Sequence, residues 1–245
     1  MSLTALRPLR AQARAEVEMT LRRGDAVLLA IGIPVLLLVF FSLVDVLPTG
    51  TDHPVDFLAP GILSLAVMST SMVSLGIATG FERSYGVLKR LGATPLRRPA
   101  LLGAKTVSVL VVEVVQAAVL VPVAFGLGWR PAGAAWPAAI GITVLGTAAF
   151  AGLGMLMAGT LRAEATLAAA NGLYLVLLLL GGMLIPLAKL PGGLRVVARA
   201  LPSGALSNGL AAAVGAGHVT AHDWVVLAIW AVAAPAVAAF TFRWE

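Results

Sequence analysis

The sequence predicts an all-α integral membrane protein with six transmembrane helices, and three observations carry that expectation. The chain is 60% hydrophobic and 11% charged over 245 residues, whereas soluble domains run at roughly 45–50% and about 25%. Its apolar residues gather into six runs, each near the ~20 residues a helix needs to cross a hydrocarbon core. Its cations fall between those runs with a strong bias to one side. A soluble globule of this size has too little polar surface to cover so much apolar side chain. No run alternates with the period of two that a barrel strand shows, so helices are expected.

Residues 1–25 come first and read as an amphipathic helix. Leu6, Ala13, Val17 and Leu21 lie near one face, and Arg7, Arg10 and Arg14 share another. Such a helix lies along a leaflet with its arginines at anionic headgroups, which makes membrane lipids a partner. The spans follow at 26–47, 57–80, 100–127, 137–161, 167–186 and 224–242. The first is too long for a signal-peptide core, and no small-x-small cleavage site follows it, so it is expected to be retained. Pro34, Pro122 and Pro235 fall inside spans, where neighbouring helices satisfy the carbonyls a proline frees. Residues 81–99 form the loop between spans two and three. Residues 187–223 are too broken by Pro and Gly to cross and too apolar for a free loop, so short re-entrant or interfacial helices are expected there. Trp129, Trp136, Trp224 and Trp244 sit at span ends, as an aromatic belt requires.

Charge sets the orientation. With the N-terminus inside, the cytoplasmic side receives thirteen of the seventeen Lys and Arg residues, and the outside receives Arg130, Lys189, Arg195 and Arg199. Short cytoplasmic loops carry the excess of cations, so both termini are expected in the cytoplasm of a multi-pass protein. The same segregation explains the net charge of +6 without nucleic acid as a partner. The absence of Cys removes thiolate metal sites and a Cys nucleophile. His218 and His222 have the spacing of helical metal ligands, but Gly215 and Gly217 interrupt that segment, so they read as interfacial residues. No nucleophile–base–orienter set is visible, and no enzyme is expected.

The 81–100 stretch, "FERSYGVLKRLGATPLRRPA", is a basic island between two apolar spans. Gly86 and Gly92 bracket a turn or two of helix with Leu88 and Leu91 on one side and Lys89 and Arg90 on another. Thr94 and Pro95 read as an N-cap followed by proline at the first helical position. A lipid-facing connector needs no such layout; a surface offered to another protein does. The string resembles the intracellular loop of ABC-2-type transporter permeases, with its acidic-basic pair, glycine, "LKRL" and "TP". The six-span plan, the N-terminal helix and "IPLAKLPGGLRVVARALP" after span five are also similar to that family. The likeness covers essentially the whole chain and is nearest in character to daunorubicin-resistance-type drug and antibiotic export permeases.

That resemblance implies a bacterial inner-membrane permease whose loop is a coupling helix seated on a separate ATP-binding-cassette ATPase subunit. Glu82, Arg83, Gly86, Leu88, Lys89, Arg90, Leu91, Thr94 and Pro95 would be the contact and its frame. It also implies a dimer, with a second copy or a sister permease, and export of an amphipathic drug-like or lipid-like solute. ATP and magnesium would sit on the partner, and no cofactor on this chain. The sequence agrees in lacking G-x-x-x-x-G-K-[ST]; Gly103, Lys105 and Thr106 are a near miss, with Ala104 intervening and Arg98 where the first glycine belongs.

Three polar residues inside spans are candidates for the translocation path. Glu113 lies near the middle of span three with Gln116 one turn on, and Asn171 lies in span five. A charge at that depth costs about 2.5–3.5 kcal/mol on insertion scales, so Glu113 should face protein or a water-filled cavity. Either it lines a path or it locks helices together, and Asn171 has the same two readings. Gly76 and Gly80 in span two, and Gly154 and Ala158 in span four, permit close helix approach. Two rival functions remain: a secondary carrier driven by protons through Glu113, and a non-transporting scaffold or sensor.

Overall fold

The computed structural model describes residues 14, 16–19, 24–44, 47, 53–88, 98–133, 135–215 and 217–242, with the backbone alone at 25–27 and 98–100. No strand occurs among them. The helices are α1 (Gly24–Leu43), α2 (Pro54–Ser84), α3 (Arg98–Gly126), α4 (Trp136–Thr160), α5 (Ala163–Leu180), α6 (Gly192–Ala200), α7 (Pro202–Val214) and α8 (Ala221–Thr241). By length and composition α2, α3, α4, α5 and α8 are long and apolar enough to cross a membrane, and Leu28–Leu43 of α1 is a shorter apolar helix. The protein is an all-α integral membrane protein.

The helix ends are offset by a few residues from the expected spans, most at the fifth. The fifth helix begins at Ala163, four residues before Leu167, because Arg162 is extended and Glu164 then sits in a first turn, where a carboxylate complements the helix dipole. It stops before Pro186 because Gly182 takes φ +70°, a left-handed conformation. α2 runs on through Phe81–Ser84, so the loop starts after Ser84. There Gly86 adopts φ +72° and its N–H reaches the carbonyl of Arg83 at 3.0 Å, a glycine C-terminal cap.

α2 contains a π-helical stretch at Ser69–Ser74, an insertion often found at functional sites. Ser71 Oγ donates to the Val67 carbonyl at 2.5 Å beside it. Just past this stretch α2 meets α4 backbone to backbone: a Cβ on Gly76 would stand 3.1 Å from Gly154 Cα, and one on Gly154 would stand 2.6 Å from the Met72 carbonyl oxygen. Only glycine permits that approach.

The apolar core has two parts. The larger joins Leu58, Ile62 and Met68 of α2 to Leu120 of α3, Phe150 of α4, Leu206 of α7 and Leu227 of α8. The smaller lies where α2 ends and α3 begins, with Leu75, Leu101, Leu102, Met155 and Phe242 packed together. Leu28, Leu36 and Phe40 of α1 and Leu175, Val176 and Leu179 of α5 remain exposed, as side chains facing lipid or a second membrane protein would be.

Candidate functional site

α2 and α3 lead into and out of the basic island, and their ends are tied by charge. The Lys105 ammonium, on α3 with 1% of its side chain exposed, lies 2.7 Å from Glu82 Oε2 and 3.1 Å from Glu16 Oε2. One cation thereby joins the end of α2, the beginning of α3 and the helical residues 16–19 that precede α1. Glu16 is itself buried, whereas Arg14 is exposed and donates from Nε to Glu18 at 3.0 Å. Next to Glu82, Arg83 donates through Nη2 to the carbonyl of Leu161, between α4 and α5. The root of the loop is thus held from three directions.

The predicted contact residues separate on this root. Glu82 and Arg83 are frame, engaged inward. Gly86 makes the turn. Leu88, expected to face a partner, has no exposed surface and packs with Leu101 and Leu102 in the smaller core. Within this chain the apolar side of Leu88 is covered by the chain's own bundle. Tyr85, at 75% exposure, and Val87, at 42%, are the outward residues at this turn, and neither was singled out by the sequence. Lys89, Arg90, Leu91, Thr94 and Pro95 lie outside the described residues, as do Arg7 and Arg10 of the N-terminal segment.

The candidate path residues also separate. Gln116 is buried; its Nε2 donates to the Ala30 carbonyl at 2.8 Å and to Thr70 Oγ1 at 3.0 Å, linking α1, α2 and α3. Glu113 is buried one turn away, and Thr147 of α4 donates to its Oε2 at 2.6 Å. These two polar groups join helices. Asn171 is exposed and satisfies its own helix, donating to the Leu167 carbonyl at 2.8 Å.

Asn171 does line an open space. A groove of about 810 Å³ runs between α1, α2 and α5, with Ile33, Leu65 and Phe81 among its apolar walls and Ser69, Asn171 and Tyr174 among its polar ones. Ser69, Val73 and Ser74 of the π-helical stretch face it. So do Glu82 and Tyr85, the same α2 end that carries the loop.

A family model for ABC-2 type transporters matches residues 9–214, which spans α1 through α7. The chain belongs to the ABC-2 type transporter family. A Bacillus subtilis (strain 168) protein described as "Putative transport permease YvfS" is 27% identical over 230 residues, covering 89% of this chain and 90% of that one. With the family stated, the chain is a transporter permease subunit, and the sequence signals that found it were the apolar runs and the island. The Lys105 ion triad gave no such signal: Lys105 reads as one more topological cation, and Glu16 lies 89 residues away in sequence.

Proposed function

We propose that this permease is the membrane-spanning half of an ATP-driven exporter, moving an amphipathic drug-like or lipid-like solute out of the cytoplasm. A separate ATP-binding-cassette ATPase subunit, holding ATP and magnesium, docks on the island, which faces the cytoplasm, as do both termini. A second permease copy or a sister permease completes the membrane unit in the bacterial inner membrane.

One observation carries this reading: the helix end that bears the island is also a wall of the groove. Glu82 and Tyr85 line the groove, and Glu82 is clamped to Lys105. A push on the docked loop therefore cannot be absorbed by a loose hinge at its root. It passes along α2 to the π-helical stretch, whose Ser69 and Ser74 face the same groove. The groove's mostly apolar lining with a few hydroxyls and an amide suits an amphipathic solute. On this account Tyr85 and Val87 make the apolar docking contact, and the cations of the island steer and orient it.

The test is co-purification of this chain with a co-expressed ATP-binding-cassette ATPase subunit from the same organism. Tyr85→Asp with Val87→Asp is expected to lower recovery of the ATPase at least tenfold while membrane insertion and thermal midpoint stay as in the parent. Undiminished recovery would remove the docking role. The proton-driven alternative routes protons through Glu113, which lines neither the groove nor the second cavity described below. Transport by the reconstituted chain alone under a pH gradient would decide for that alternative.

A further inference from the structure

At the end of the bundle opposite the island, α6, α7 and the start of α8 enclose a second cavity of about 670 Å³. Its frame is well tied. His222 Nε2 of α8 meets the Arg199 carbonyl at 3.2 Å, and Trp230 Nε1 donates to the Ala200 carbonyl at 3.0 Å. Those two bonds satisfy the carbonyls that the C-terminus of α6 would leave unpaired and fix α6 over the cavity. Ser207 Oγ donates to the carbonyl of Gly181, holding α7 against the end of α5.

α6 carries Arg195 and Arg199 four residues apart, on one helical face, and both line the cavity. Like charges at that spacing repel each other. Neither arginine forms a salt bridge among the described residues. Arg195 donates through Nη2 to the carbonyls of Ala188 and Leu190, yet its buried Nε finds no acceptor. The Arg199 guanidinium, on the exposed side, makes no hydrogen bond with any described residue. Asp223 lines the same cavity, but its Oδ2 accepts from Asn208 at 2.9 Å and Thr220 at 2.7 Å, and its backbone N–H is capped by Thr220 in return. Asp223 forms no ion pair with either arginine among the described residues, and with its negative charge counted the two arginines still leave the cavity lining cationic.

The flank of α6 away from the cavity is apolar and open: Leu194, Val196 and Val197 are exposed by 46%, 71% and 50%. Cationic on one side and greasy on the other, α6 has the layout of a helix lying at a leaflet boundary. Guanidinium groups bind phosphate oxygens in pairs and hold them more firmly than a lysine does. We propose that this cavity binds the phosphate headgroup of an anionic membrane phospholipid. Arg195 and Arg199 hold the phosphate at the mouth of the cavity, while the opposite flank of α6, with Leu194, Val196 and Val197, rests in the acyl region of the surrounding leaflet. The orientation that the cation distribution predicts makes this an outer-leaflet lipid.

The test uses the full chain, purified in neutral detergent, with phosphatidylglycerol, phosphatidylcholine and inorganic phosphate as separate probes read by native mass spectrometry. Phosphatidylglycerol is expected to be retained about tenfold better than phosphatidylcholine, and inorganic phosphate at equal concentration is expected not to displace it. Arg199→Gln should remove most of that preference, Arg195→Gln with Arg199→Gln all of it, and Arg199→Lys less than Arg199→Gln. Arg199→Gln is the decisive variant, because its guanidinium bonds no described residue, whereas Arg195 also ties two loop carbonyls. Phosphatidylglycerol retained equally by Arg199→Gln and the parent would overturn the proposal. Displacement by inorganic phosphate at equal concentration would do the same for the lipid, leaving a site that reads the free anion.

Discussion

Lys105 and Arg199 are both cations at the edge of an apolar bundle, and the structure treats them in opposite ways. Lys105 is 1% exposed between two carboxylates drawn from segments 23 and 89 residues away in sequence. Arg199 lines a cavity, and its side chain has no partner among the described residues. A charge removed from water is tolerable only when paired and hydrogen-bonded. At the island end, that requirement has been turned into a tie between three segments. At the other end the charge stays near water and its binding capacity stays open. The difference separates a structural cation from one available to a ligand, which composition and topology cannot do.

The largest effect expected from breaking this contrast is at Lys105. Lys105→Met takes from Glu16 and Glu82 the cation they share, and removing one partner of a buried ionic cluster costs about 3–5 kcal/mol. The expected outcome is loss of most monodisperse protein on size-exclusion chromatography after mild heating. Adding Glu82→Gln should restore part of it, because one uncompensated charge is then gone. Equal stability of Lys105→Met and the parent would show that the triad does not hold the loop's root.

A second break falls between the two ends, where α2 crosses α4. Gly154→Leu places its Cβ 2.6 Å from the Met72 carbonyl oxygen, and backbone cannot move aside as a side chain does. Overpacking of this kind costs about 1–3 kcal/mol. The thermal midpoint should fall, and the copurified ATPase should fall less than with the Tyr85 and Val87 changes, since the proposed docking turn is untouched.

What the sequence disclosed follows the range of the signal. The helices were legible because hydrophobic periodicity and span length act over neighbouring residues, and Gly86 was legible as a joint because glycine alone takes φ +72° at no steric cost. Gly76 and Gly154 were visible as small residues but not as partners, because nothing local says which helix each will meet. The burial of Leu88 was not legible for a related reason. Two leucines three apart on a short helix mark an apolar side, and the sequence carries no term for whether that side meets the chain's own core or another protein. Glu16 was hidden among the charges of a basic tail. Its pairing with Lys105 depends on the whole bundle closing, and no window of sequence contains both. The arginine pair of α6 was counted only for topology, because the cavity that gives it meaning is assembled from α6, α7 and α8 together.

A milder test concerns the polar column on α3, which runs from the triad into the bundle. Gln116→Leu removes the bonds to Ala30 and Thr70 while keeping the volume, and buried hydrogen bonds between membrane helices average about 0.6 kcal/mol with a maximum near 1.7. A small drop in thermal midpoint is expected, well short of that at Lys105. Were it as large, the tie at the island end would be no more than one polar contact among several, and the contrast with the opposite end would weaken.

The smallest expected change in stability sharpens the contrast most. Arg199→Gln removes a full charge at a helix that His222 and Trp230 hold through backbone carbonyls alone. Those bonds survive the substitution, and relief of repulsion with Arg195 offsets any lost solvation. The midpoint should therefore move by less than about 0.5 kcal/mol equivalent, the range of surface changes remote from structural features. Measured beside Lys105→Met in the same detergent, the two variants differ by one removed cation each. If both unfold the protein, the cavity arginine is structural after all; if Arg199→Gln leaves the fold intact and loses the acidic lipid, the charge at that end was held in reserve for a ligand.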